Sequence, residues 1–67
     1  MGRQRYRLSF VQVAQAMEIE TKNVIAALNV CNRQGYLRFK IDKENKDYVI
    51  VQFFSEQLRT GLLWRVN

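Results

Sequence analysis

Residues 21–36, TKNVIAALNVCNRQGY, constrain the fold of this chain more than any other segment. The apolar residues of one helical face recur here at intervals of three or four, namely Val24, Ile25, Leu28 and Cys31. Gly35 ends the helix, because glycine enters the left-handed conformation of a C-cap without strain. From Tyr36 onward the apolar period changes to that of a β-strand. The sequence therefore predicts a helix over about residues 22–34, N-capped by Thr21, that leads directly into a strand.

A second helix is predicted over residues 9–17, SFVQVAQAM, with Ser9 as its N-cap. Its apolar face is formed by four residues: Phe10, Val13, Ala14 and Met17. Only residues 18–20 connect it to the helix that follows, and Ile19 is the apolar residue of that connection. So short a link makes two helices cross at a steep angle, which predicts a helix-turn-helix.

These apolar and glycine positions closely resemble the winged helix-turn-helix superfamily over about residues 8–54. The resemblance rests on Val13–Met17 (VAQAM), Ile19, Val24, Leu28 and Gly35-Tyr36-Leu37. It implies an α+β fold with two N-terminal helices and a small antiparallel sheet whose β-hairpin forms the wing. Members of the superfamily use the same surface for DNA, for RNA or for proteins, so the resemblance is specific for fold rather than function.

Three strands complete this expectation. Residues 6–8 are predicted as the first strand, and residues 36–41 and 48–54 as the two strands of the hairpin. Alternate side chains of a strand lie on one face of the sheet. The residues predicted to face the core are Leu37, Phe39, Ile41, Val49, Val51 and Phe53. Residues 42–47, DKENKD, form the wing loop, in which Asn45 is expected to take a left-handed turn conformation.

Family members have a further helix before the first strand, and too few residues precede Ser9 for that helix here. The expected substitute is the C-terminal segment 55–66, in which Ser55 caps a helix and Leu58, Leu62 and Val66 share a face. Trp64 adds a large apolar anchor. This segment is predicted to cover the two helices within the chain or across a symmetric dimer, unless the chain is cut from a larger protein. Residues 1–67 thus form one domain, with a basic arm over 1–7 and a packing segment over 55–67.

Composition argues against catalysis. The chain contains no histidine, and Cys31, its only cysteine, is interpreted as a small buried hydrophobic residue. The acids of the wing loop are neutralised by Lys43 and Lys46, so no metal site and no cofactor are predicted. No apolar run reaches the roughly 20 residues of a membrane span. With no internal disulfide available, an intracellular, cytoplasmic protein is expected.

The charge balance, 11 basic against 6 acidic residues for a net +5, suits a polyanionic partner. Arginines alternate along the N-terminal arm, where an extended chain directs all of them to one side. In the DNA-binding relatives, the N-terminal part of the second helix enters the major groove. Lys22 and Asn23 occupy the matching positions. The full set of predicted nucleic-acid-binding residues is Arg3, Arg5, Arg7, Thr21, Lys22, Asn23, Arg33, Arg38, Lys40 and Lys43.

The predicted function is nucleic-acid binding, with duplex DNA favoured over RNA, in a small regulator or an accessory domain of a replication or repair protein. The alternative is a protein-interaction or dimerisation module that binds a second copy or other domains of a host protein. It would use the outer face of the second helix, where Ala26, Ala27 and Val30 are small and apolar. The wing loop does not discriminate, because its lysines and acids nearly cancel.

Overall fold

The computed structural model describes residues 4–64, with Trp64 described by its backbone alone. Three strands, β1 (Arg5–Ser9), β2 (Leu37–Ile41) and β3 (Tyr48–Phe53), form an antiparallel sheet in the order β1-β3-β2. Three helices, α1 (Phe10–Met17), α2 (Val24–Arg33) and α3 (Glu56–Trp64), accompany the sheet. The predicted α+β class, with two N-terminal helices, a β-hairpin and a C-terminal helix, is therefore confirmed for this part of the chain. No helix within it is long and apolar enough to cross a bilayer.

One face of the sheet forms the core together with all three helices. From the sheet, the buried side chains are Leu8, Leu37, Val49, Val51 and Phe53, and from the helices they include Val13, Val24, Leu28 and Leu62. The alternation predicted for β3 is thus confirmed. Ile41 was predicted to face the core but is 45% exposed. As the last residue of an edge strand, it pairs with Val49 on one side only, so little packs around it.

α1 has the predicted N-cap. The Ser9 Oγ accepts from the Gln12 N–H and the Gln12 Oε1 accepts from the Ser9 N–H, both at 3.0 Å, which completes a capping box. The helix ends at Glu18, whose φ of 59° is left-handed. The Ile19 N–H then donates to the Ala14 carbonyl at 3.0 Å. This tight reversal leaves room for only the predicted three-residue connection to the next helical turn.

α2 begins differently from the prediction. Thr21 is not an N-cap, because Thr21–Asn23 forms a 3₁₀ turn that precedes α2, and no side chain bonds the start of either segment. A 3₁₀ turn is a common entry to an α-helix, and its i→i+3 bonds use N–H groups that a cap would otherwise satisfy. The Asn23 N–H accordingly donates to the Glu20 carbonyl at 2.9 Å.

The end of α2 is the one predicted at Gly35, whose φ is +81°. The Tyr36 N–H donates to the Cys31 carbonyl and the Gly35 N–H to the Asn32 carbonyl, each at 3.0 Å. This pair of bonds is a Schellman motif, which satisfies the last carbonyls of the helix. Cys31 itself is half-buried rather than fully buried, and the burial raises the pKa of its thiol.

Asn45 shapes the 42–47 loop through its side chain rather than through a left-handed backbone. Within residues 4–64 the only non-glycine residue with a positive φ is Glu18, so the predicted conformation of Asn45 is wrong. Its Oδ1 accepts from the Asp47 N–H at 3.0 Å, and its carbonyl accepts from the Tyr48 N–H at 3.0 Å. A side-chain bond to a backbone N–H two residues on tightens a turn without requiring positive φ.

α3 covers the core from within the same chain, as one of the two predicted arrangements requires. The Ser55 Oγ accepts from the Leu58 N–H at 3.2 Å and caps the helix. Leu62 is buried, at 3% exposure, and Leu58 and Leu63 are partly buried against the same core. Val66 and the Trp64 side chain, also predicted to pack here, lie outside the described residues.

Candidate nucleic-acid interface

The predicted nucleic-acid-binding residues fall on two sides of the sheet. We call the first group the helix surface; it comprises the exposed residues Thr21, Lys22, Asn23 and Arg33 of the 3₁₀ turn and α2. We call the second group the outer sheet face; its basic residues are Arg5, Arg7, Arg38 and Lys40. Lys43 is an exposed residue of the 42–47 loop, and Arg3 lies outside the described residues. The helices pack on the opposite face of the sheet, so the predicted nucleic-acid-binding residues do not form one continuous surface.

The strand register arranges the cations of the outer sheet face in two rows across β3. Arg5 and Arg38 both pair with Gln52, one from each side, and Arg7 and Lys40 both pair with Ile50. All six acidic residues of the chain lie outside the three strands. A shallow depression of about 150 Å³ opens between these rows. The alternation within each strand was visible in the sequence, but the two rows required the strand order, with β3 in the centre.

Arg7 is the fixed member of this group. Its Nε donates to Asp42 Oδ2 at 2.6 Å, and its guanidinium lies 4.0 Å from the centroid of the Tyr48 ring. Asp42 is buried, and its other oxygen accepts from the Glu44 N–H at 2.9 Å. The bond from Arg7, helped by that backbone N–H, holds the pKa of the Asp42 carboxyl below its ordinary value, and the same bond raises the pKa of Arg7. The ion pair spans the sheet from β1 to the end of β2.

The Asp42 carboxylate should make stability depend on pH. Because its pKa is lower in the folded chain, its contribution is complete above the ordinary aspartate value of about 3.9 and is lost as the pH falls through the folded value. We expect Asp42→Asn to lower the melting temperature at about pH 7, and the gap from the wild type to close below about pH 4. Thermal unfolding followed by circular dichroism across this range measures the gap.

Glu44→Gln is the matched control for Asp42→Asn, because Glu44 is an exposed acid of the same loop. It should change the melting temperature little at any pH. A gap for Asp42→Asn that stays constant down to about pH 2 would show that the carboxylate acts through packing rather than through its charge.

The other three cations of the outer sheet face are less constrained. None of the ion pairs found among residues 4–64 involves Arg5, Arg38 or Lys40. Arg38 has an aromatic neighbour instead, since its guanidinium lies 5.8 Å from the ring centroid of Phe54, which is 44% exposed. Sequence reasoning assigned no role to Phe54, Tyr48, Ile50 or Gln52, although their alternation with the buried residues of β3 places them on this face.

The helix surface is polar at its ends and apolar in its middle. Lys22 Nζ lies 3.8 Å from Glu20 Oε2, and both side chains are about three-quarters exposed, so solvent screens this pair. Asn23 and Arg33 are exposed, and no ion pair among residues 4–64 involves Arg33. Residues 21–34 include no acid. In the middle, Val30 is 43% exposed and Ala26 is exposed, whereas Ala27 is half-buried. The outward direction predicted for Val30 is therefore confirmed.

Neither surface gathers groups typical of metal binding. Among residues 4–64 no three side chains of histidine, cysteine, aspartate or glutamate converge. A second depression, of about 620 Å³, lies between α1 and α3 and is lined mainly by apolar or small residues such as Met17, Leu58 and Gly61.

Comparisons with protein-family models, with curated proteins and with solved structures find no match to this chain. The geometry of the two surfaces is therefore the basis for a functional assignment.

Proposed function

We propose that this chain is a nucleic-acid-binding domain of the winged helix-turn-helix type and that its helix surface binds duplex DNA. The observation that carries the proposal is a continuous segment, residues 21–34, that is free of acids and presents Lys22 and Asn23 in the exposed 3₁₀ turn that leads into α2. The three-residue connection from α1 supports it, since such a turn lets the first helix cross the backbone while the second enters the groove.

The mechanism follows from the chemistry of these side chains. Asn23 can contact the N6 and N7 atoms of adenine at once, and Lys22 can reach guanine or a phosphate. Arg33 and Lys43 would neutralise phosphates beside the groove, which fixes orientation rather than sequence. Ala26 and Val30 offer apolar contacts to thymine methyl groups. A domain of this kind would serve as a small regulator or as an accessory part of a replication or repair protein.

The test is a titration of the intact chain with random duplex DNA, followed by amide NMR shifts and by affinity at several salt concentrations. We expect the largest shifts at Lys22 and Asn23. Because one phosphate contact is lost, Lys22→Ala should flatten the slope of log affinity against log salt by about 0.9, whatever the DNA sequence. Lys46→Ala removes the same charge from the 42–47 loop and should leave the slope unchanged. Absence of binding at low salt would remove the proposal.

A second candidate function is a protein interface centred on Val30. It is favoured by the 43% exposure of this side chain in the middle of a helix that has Arg33 as its only charged residue. If the interface is symmetric, the melting temperature of the chain should rise with concentration. Val30→Glu should abolish that rise, because it introduces a charge at the centre of the contact. If DNA causes no amide NMR shifts and the melting temperature rises with protein concentration, the protein interface is the better assignment.

A further inference from the structure

We propose that the outer sheet face is a second nucleic-acid site, separate from the helix surface, and that it binds single-stranded DNA. The choice of DNA rests on the proposed function of the helix surface; the single-stranded form rests on the geometry of the sheet.

The outer sheet face carries a concentration of positive charge. Arg5 and Arg38 stand on either side of Gln52, with Arg7 and Lys40 in the next row. The outer strands of such a sheet are roughly 10 Å apart, and alternate residues along a strand are about 7 Å apart. Four cations thus lie close together. Asp42 pairs with one of them, Arg7, and Glu44 also acts electrostatically on Arg7. A concentration of positive charge of this kind attracts a polyanion.

The shape of the outer sheet face fits a single strand better than a duplex. The major groove of DNA is about 12 Å wide and admits a helix or a two-stranded ribbon. The outer sheet face is three strands wide and therefore enters neither groove. It can reach a duplex only at the phosphates on the outside. A flexible single strand can instead lie along the face and bring each phosphate to a cation.

The outer sheet face also carries aromatic side chains. Phe54 is 44% exposed beside Arg38. The guanidinium of Arg7 lies over the Tyr48 ring, 4.0 Å from its centroid. Between them the half-buried Ile50 forms part of the wall of the depression that also includes Arg5, Arg38 and Lys40. Proteins that bind single strands combine a basic groove with exposed aromatic rings, because every base has a face that stacks. Phe54 is the residue we assign to a base, and Arg5, Arg38 and Lys40 are those we assign to phosphates.

The experiment measures fluorescence anisotropy of the intact chain with a labelled oligothymidine of about 12 nucleotides, within the range of roughly 4–16 that such surfaces hold. A duplex of equal length and an oligouridine are measured in parallel. Arg38→Gln should weaken oligothymidine binding and flatten its salt slope by about 0.7, the value for one phosphate of a single strand. Lys46→Gln carries the same charge change outside this face and should leave both unchanged. Phe54→Ala should weaken binding about five- to a hundredfold. Thermal unfolding confirms that each variant is folded.

Two comparisons separate this site from the helix surface. Lys22→Ala should weaken duplex binding and leave oligothymidine binding intact, and Arg38→Gln should do the reverse. If no duplex binds but the Arg38 and Phe54 variants still lose oligothymidine, the proposed function fails and this site stands. Equal effects of Arg38→Gln and Lys46→Gln, or an unchanged affinity in Phe54→Ala, would overturn the site. Binding of oligouridine at least about tenfold tighter than oligothymidine would overturn the assignment to DNA, because an RNA strand would then be the preferred ligand.

Discussion

Truncation of the chain after Phe54 is expected to abolish cooperative folding. The shortened chain lacks α3, and with it the buried side chain of Leu62 and the partly buried side chains of Leu58 and Leu63. One full and two partial leucine burials contribute about 3–6 kcal/mol, at roughly 1.5–3 kcal/mol for each fully buried side chain. A small domain of this size has a total stability of about 3–10 kcal/mol. The loss is therefore comparable to the total free energy of unfolding of the domain.

Urea unfolding of the intact and the truncated chain, followed by circular dichroism, measures this effect. Within the intact chain, Leu62→Ala should lower the free energy of unfolding by about 2–5 kcal/mol, as cavity-forming substitutions do. Gln57→Ala is the control on the same helix, because Gln57 is exposed and alanine favours helix. If the truncated chain unfolds cooperatively at an unchanged urea midpoint, α3 does not stabilise the core. A midpoint that rises with protein concentration would show that a second copy covers the exposed face.

Leu28→Ala is expected to be the most destabilising single substitution in α2. Leu28 is completely buried, so the change leaves a cavity and should cost about 2–5 kcal/mol of the free energy of unfolding. Val30 lies two residues further along the same helix, where it is 43% exposed. Val30→Glu should therefore change the free energy of unfolding by no more than about 0.5 kcal/mol, as surface substitutions usually do.

The test compares the unfolding free energies of these two variants. Thermal or urea unfolding of both variants should show a large shift for Leu28→Ala and almost none for Val30→Glu. Unfolding of the chain by Val30→Glu would mean that the outer face of α2 is buried, and the helix surface would then be unavailable to DNA. A small effect of Leu28→Ala would indicate that the core collapses around the missing methyl groups.

Local chemistry accounts for the parts of the fold that were predicted well. The Ser9 cap, the Gly35 end of α2 and the Ser55 cap each depend on one side chain and the backbone beside it. The start of α2 was mispredicted because a 3₁₀ turn and a capped helix are close alternatives for the same few residues. Asn45 shows a similar competition, between a left-handed backbone and a bond from its own side chain.

The candidate surfaces likewise differ in how far local sequence patterns predict them. Lys22, Asn23 and Val30 could be placed from the sequence, because the period of a helix decides which residues face outward. The pairing of Arg7 with Asp42 joins residues that are 35 positions apart, and no local pattern reports it. It forms because β3 lies between β1 and β2, which lets a long side chain reach across Tyr48.

The sequence by itself determined the three strands, the three α-helices, most of their ends and the face that each of them buries. It did so because periodicity and capping act over a few residues. Only the tertiary structure decided that α3 covers the core of its own chain, that Ile41 is left exposed, and that Arg5 and Arg38 meet across Gln52. These outcomes depend on strand order and packing between distant segments. Such contacts depend on the free energy of the whole folded chain rather than on the residues of one segment.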